Sequence, residues 1–194
     1  IGGIGITTAA LAVGGRNPAG GNGVTNTENY NGTGWTEVND LNTARHSLMT
    51  SGTSSTSALA TGGEAAARLG VTESYNGTSW TEVADLNSAG GRTPGSATVA
   101  NTELWNGTSW TEVNDLNTAR TFAAGQTGTS TSALVAGGYS GGALSVTEEW
   151  NGASWVEVAD LATARSGLGG AGATSASAIV FGGSPNLTAT EEWS

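Results

Sequence analysis

Tyr30-Asn31-Gly32-Thr33-Gly34-Trp35 is the stretch around which this chain is organised. Asn-Gly between two aromatics signals a two-residue hairpin turn, because both residues tolerate the positive φ that such a turn requires. The same stretch returns as Tyr75 to Trp80, Trp105 to Trp110 and Trp150 to Trp155, and its leading aromatic returns once more as Trp193. Each full copy runs on through Thr/Val-Glu-Val-x-Asp-Leu to Leu41, Leu86, Leu116 or Leu161, and three copies continue to Arg45, Arg120 and Arg165. An apolar strand closed by two glycines follows further on, at Gly14-Gly15, Gly62-Gly63, Gly137-Gly138 and Gly182-Gly183.

Strands follow from the pattern. In one copy they are predicted over Thr121–Gly125, Ser132–Ala136, Val146–Trp150 and Ser154–Val158, the last two joined by Asn-Gly. Alternation in the fourth places Trp155 and Glu157 on one face, with Val156 and Val158 on the other. Trp and the next Gly-Gly are 27 residues apart in three copies, whereas Gly-Gly and the next strand-three aromatic are 11 to 16 apart. Length therefore varies only in the loop between strands two and three. In an antiparallel blade that loop shares a face with the connection to the next blade.

A period of about 45 residues with one Gly-Gly and one Trp per unit resembles the Kelch repeat, whose unit is one four-stranded blade. The resemblance implies an all-β fold, a β-propeller of Kelch-like blades. It covers nearly the whole chain and departs from the usual pattern in its Asn-Gly hairpin and its unusually uniform copies. Such near-identical copies resemble repeat proteins of marine phages and viral metagenomes. One propeller domain over 1–194 is expected, with blades at about 1–41, 42–86, 87–116, 117–161 and 162–194. The third and last are incomplete. Between Trp80 and Gly90 there are 10 residues where 27 are expected. A real deletion, an incomplete sequence, or a partner chain supplying the missing strand pair would each account for this. Ile1 falls within a strand and Ser194 before a hairpin, so the chain reads as part of a longer one.

Composition narrows the function. Sixteen acidic residues stand against six basic ones, all Arg, for a net charge of −10. That balance opposes nucleic acid and anionic membrane surfaces. There is no Cys, which removes disulfides and thiolate metal sites. No apolar stretch approaches the ~20 residues of a membrane helix.

Candidate residues fall into two groups. Trp35, Trp80, Trp110 and Trp155 recur once in each of the first four blades and read as inter-blade packing rather than sugar platforms. Arg45, Arg120 and Arg165 recur with Asp40, Asp85, Asp115 and Asp160 and with Glu37, Glu82, Glu112 and Glu157. The Arg residues read as a clip between neighbouring blades, since a guanidinium bonds carboxylates and carbonyls through several donors. An Arg cluster gripping an acidic ligand, as in sialidases, would need Tyr, Asp and Glu at unique positions, which are absent. Glu148-Glu149 and Glu191-Glu192 point to opposite strand faces and cannot act as a glycosidase pair. His46 is the only His, so neither a metal cluster nor a catalytic triad is expected, nor a cofactor. The Asn-x-Thr sequences at Asn31, Asn76 and Asn106 are hairpin turns; Asn186 begins a fourth.

Residues unique to one blade lie in the variable loops, where recognition usually resides. Arg16, Arg68, Arg92 and Tyr139 are the expected ligand contacts. The function expected is a non-catalytic module, extracellular or on a virion surface and tail-fibre-like, binding a host-surface glycan or protein. Other virion proteins or copies of itself are further partners. A purely architectural module and a carbohydrate-active propeller enzyme are the alternatives.

Overall fold

The computed structural model describes residues 1–87, 97–185 and 188–193, with the side chains of 53 and 124–126 left aside. Arg92, Gly90-Gly91 and Asn186 lie outside the described residues. Among the described residues, regular structure is strand throughout, apart from one 3-10 turn at Ser175–Ser177.

Strands β1 (Gly2–Ile6), β2 (Ala9–Val13), β3 (Thr27–Tyr30) and β4 (Trp35–Glu37) form an antiparallel meander in the order β1-β2-β3-β4. Strands β5 (Met49–Ser54), β6 (Ser57–Thr61), β7 (Thr72–Tyr75) and β8 (Trp80–Glu82) repeat it. Strands β9 (Glu103–Trp105) and β10 (Trp110–Glu112) make a two-stranded sheet. Strands β11 (Ala124–Thr129), β12 (Ser132–Ala136), β13 (Thr147–Trp150) and β14 (Trp155–Glu157) are again a complete meander. Strands β15 (Gly169–Gly172), β16 (Ala178–Phe181) and β17 (Thr190–Trp193) form a three-stranded sheet. Among the described residues, three of the five sheets are therefore full four-stranded blades. The third and fifth sheets are the small ones.

The hairpins form where Asn-Gly stands, and local bonds explain why. Asn31 Oδ1 accepts from the backbone N–H groups of Thr33 and Gly34, and Asn76, Asn106 and Asn151 repeat this. These side chains close the turn on itself. The flanking aromatics come into register as Tyr30 opposite Trp35, Tyr75 opposite Trp80 and Trp150 opposite Trp155, with ring centroids 5.1, 4.9 and 5.4 Å apart.

Strand one differs from expectation. It begins at Ala124 rather than Thr121 and runs on to Thr129. Thr121 instead bridges to Tyr139, and Phe122 takes φ 54°, which breaks an extended strand at that residue. Strands three and four are also shorter than expected, at Thr147–Trp150 and Trp155–Glu157.

The chain divides into two compact units, Ile1–Ala89 with Asn106–Trp110, and Gly90–Trp105 with Thr111–Ser194. The first has a core that includes Leu11, Val13, Leu41, Leu48, Tyr75 and Trp80, fed by alternate residues of β2 and β6. Here β1 and β5 lie so close that a Cβ on Gly2 would meet Thr50 Cγ2 at 2.3 Å. The second unit buries Ala136, Leu161, Leu168 and Val180 together, with Trp193 packed against them.

Candidate functional site

The repeated residues form two bonding systems, each reused within a unit. The first centres on Arg. Arg45 is fully buried; it donates to the carbonyls of Ala60 and Val71 and pairs with Glu73 at 3.1 Å. The same carboxylate accepts from the N–H groups of Asn42 and Thr43 and from Asn42 Nδ2. Arg120 and Glu148 repeat the arrangement: Arg120 donates to the carbonyls of Gly137 and Val146, and Glu148 accepts from the Asn117 and Thr118 backbones. Arg165 pairs with Glu191, which accepts from Ala162 N. Burial lowers the pKa of the Arg45 guanidinium, against the opposing pull of Glu73, Asp85 and Glu82.

The Arg backbone meanwhile bonds the sheet before. Arg45 N donates to Val24 O, and Gly15 N donates to Arg45 O; Arg165 does the same with Leu144 O and Gly138 N. Each Arg thus ties two sheets, with its main chain in one and its guanidinium in the next. The Gly-Gly pair serves this contact. Gly14 and Gly137 adopt φ of +59° and +62°, and a Cβ there would lie 2.7 Å from Arg45 O and 2.6 Å from Arg165 O.

The second system centres on Trp. Trp80 Nε1 donates to Thr27 Oγ1, Trp110 Nε1 to Thr72 Oγ1, and Trp155 Nε1 to Thr102 Oγ1, at 3.1, 3.1 and 2.9 Å. Thr27 and Thr72 open strand three of the preceding repeat, and Thr102 stands one residue before it. Trp35 differs: it is 52% exposed and, with Ile1, Gly2, Ile4 and Ala10, lines a shallow cavity of about 360 Å³.

The sequence reading missed the carboxylates that complete the Arg system. Glu73, Glu148 and Glu191 each stand two residues before a strand-three aromatic, 26 to 28 residues after their Arg. That constant offset was the available signal. Glu37, Glu82, Glu112 and Glu157 are exposed. The Asp residues also act differently from a clip between sheets. Asp40, Asp85 and Asp115 accept from the N–H of Thr27, Thr72 and Thr102, tying the end of strand four to strand three of the same sheet. Glu148 and Glu149 face opposite ways: the first meets Arg120, and the second accepts from Ser175 Oγ at 2.5 Å.

The loop residues are arranged as follows. In the first unit the exposed Arg16 turns onto its own loop, with Nε donating to Gly21 O at 3.0 Å. Half-buried Arg68 bridges to Glu64, which bridges in turn to His46. In the second unit Tyr139, 36% exposed, bridges to Thr121 and Ala143. These bridges put the strand-two-to-three loop beside the inter-blade connection in both units. Among the described residues no group of three His, Cys, Asp or Glu gathers as a metal site would require. No described helix is long and apolar enough to cross a membrane.

Four-stranded antiparallel meanders, joined by short connections and packed sheet against sheet by a recurring Trp, define the class: this is an all-β protein built of propeller blades. It is similar to the solved structure of YjhT, with a TM-score of 0.77 at 12% identity, over 97% of this chain and 79% of that one. At that identity the likeness shows the fold alone. No protein-family model and no curated protein matches the chain.

Proposed function

We propose that this chain is a non-catalytic recognition module of Kelch-like blades, displayed extracellularly or on a virion surface in the manner of a tail fibre, that binds a host-surface glycan or protein. One observation carries the reading. The repeated Arg residues with their paired carboxylates, and the indoles of Trp80, Trp110 and Trp155, are consumed in internal bonding, whereas the residues unique to single blades stand in loops. Arg45, Arg120 and Arg165 are at most 4% exposed and each pairs with a carboxylate, so none can grip a ligand. Arg16 and Tyr139 are exposed and sit on loops braced by backbone bridges. A rigid scaffold presenting variable loops suits recognition.

The test is binding of the full chain to panels of immobilised glycans and intact cells, compared with Arg68→Ala and Tyr139→Ala. Binding by the parent that either substitution weakens supports the reading. Absence of signal on every surface would sink it.

A further inference from the structure

The second unit carries a bulky aromatic where the backbone disfavours one. Phe122 has φ 54° and is 62% exposed. The equivalent residues, two after the blade Arg, are Ser47 at φ 53° and Gly167 at φ 63°. Glycine takes this conformation at no steric cost, whereas for a bulky residue it is an outlier. Strain of this kind in a surface loop gathers where a side chain is held for use.

The surroundings of Phe122 are specific. Its carbonyl accepts from Gly167 N at 2.7 Å, which ties two inter-blade connections together. Thr121 beside it bridges to Tyr139, and Ser166 bridges to Ser184. Ser140 Oγ bonds Thr98 Oγ1 at 3.4 Å. One linked rim thus holds two exposed aromatics, Phe122 and Tyr139, among Ser and Thr hydroxyls. Arg120 and Arg165 leave from the same connections, but their guanidiniums are turned inward onto Glu148 and Glu191.

Resting on the recognition reading above, we infer that this rim is a subsite for an uncharged carbohydrate, with Phe122 and Tyr139 as stacking faces and the neighbouring hydroxyls as hydrogen-bond partners. Aromatic faces offer large apolar contact at low entropic cost, and hydroxyls fix the orientation of a sugar. The net charge of −10 repels sialylated or sulfated glycans, and the rim's own guanidiniums are already paired.

The experiment displays the full chain to an array of uncharged glucose, galactose, mannose and N-acetylglucosamine oligosaccharides beside sialylated and sulfated ones. Phe122→Ala, Phe122→Trp and Phe122→Gly are compared with the parent. Expected is binding to uncharged members, weakened about tenfold or more by Phe122→Ala and held within about threefold by Phe122→Trp. Phe122→Gly, freed of backbone strain, should melt no lower than the parent while losing the sugar. Unchanged sugar binding in Phe122→Ala, or binding confined to acidic glycans, overturns the subsite and leaves the recognition module standing. The subsite is equally overturned if cells bind while no glycan does. If neither cells nor glycans bind, both readings fall.

Discussion

Replacing Glu73 by Gln leaves the shape of the Arg45 site intact and removes its charge balance. Three donors point at the carboxylate besides the guanidinium: Asn42 N and Asn42 Nδ2 at 2.8 Å, and Thr43 N at 3.2 Å. An amide oxygen can serve part of this set, but its NH2 must face a donor. Arg45 would then remain fully buried with only the carbonyls of Ala60 and Val71. Breaking one side of a buried pair costs about 3–5 kcal/mol. Against a total of about 5–15 kcal/mol, that is a large fraction of the stability. At about 2–4 °C per kcal/mol for a chain of this size, the melting midpoint should fall by roughly 6–20 °C. Urea unfolding followed by Trp fluorescence measures this directly, with Glu112→Gln, on an exposed carboxylate, as the control. The double change Arg45→Met with Glu73→Leu should recover only part of the loss, because it removes both charges together but leaves the Asn42 and Thr43 donors and the Ala60 and Val71 carbonyls without their partners. A Glu73→Gln loss below about 1 kcal/mol, or no larger than that of the control, would refute the argument that buried Arg–carboxylate pairs hold the sheets together.

Three further outcomes are expected. Thr102→Val strips the acceptor from Trp155 Nε1 and should cost about 1–3 kcal/mol by urea denaturation, with Thr36→Val, in an exposed strand-four position, near zero. Gly137→Ala should cost at least about 1–2 kcal/mol from its positive φ alone, and more from the clash with Arg165 O, read as a lowered melting midpoint. Burial raises the pKa of Tyr75, so its neutral phenol contributes stability that is full below pH about 10 and lost as pH rises through the folded-state value. Tyr75→Phe should therefore lose less stability than the parent between pH about 10 and 12, as urea midpoints across that range would show.

Features set by neighbours in sequence were the legible ones. Asn31 closes its own turn within three residues, so the Asn-Gly signal needed nothing from the rest of the fold. The Gly-Gly stops were visible for the same reason, although their deeper cause, the close approach of the Arg45 and Arg165 carbonyls, lies some 30 residues away. Glu148 was hidden because its role depends on Arg120, 28 residues upstream, and in sequence it stood out only as half of an adjacent Glu148-Glu149 pair on opposite strand faces. Phe122 was hidden by its own type, since a Phe after an Arg-Thr step reads as strand. Only the backbone reveals that it leaves the extended region.

The Arg that joins one sheet to the next also determines how the molecule yields to force. The strand-four Trp residues stand 45 positions apart from Trp35 to Trp80 and again from Trp110 to Trp155, and within each unit the sheets are held to their neighbours by the same few bonds. A pull along the chain loads these joints, because within each unit the described sheets are fastened to those beside them by the Arg and Trp bonds. Extension should then proceed in discrete steps, releasing roughly 150 Å of slack where a 45-residue period straightens and about 100 Å for the 30 residues from Trp80 to Trp110. An object anchored by such a chain would feel a series of yields of similar height in place of one abrupt break.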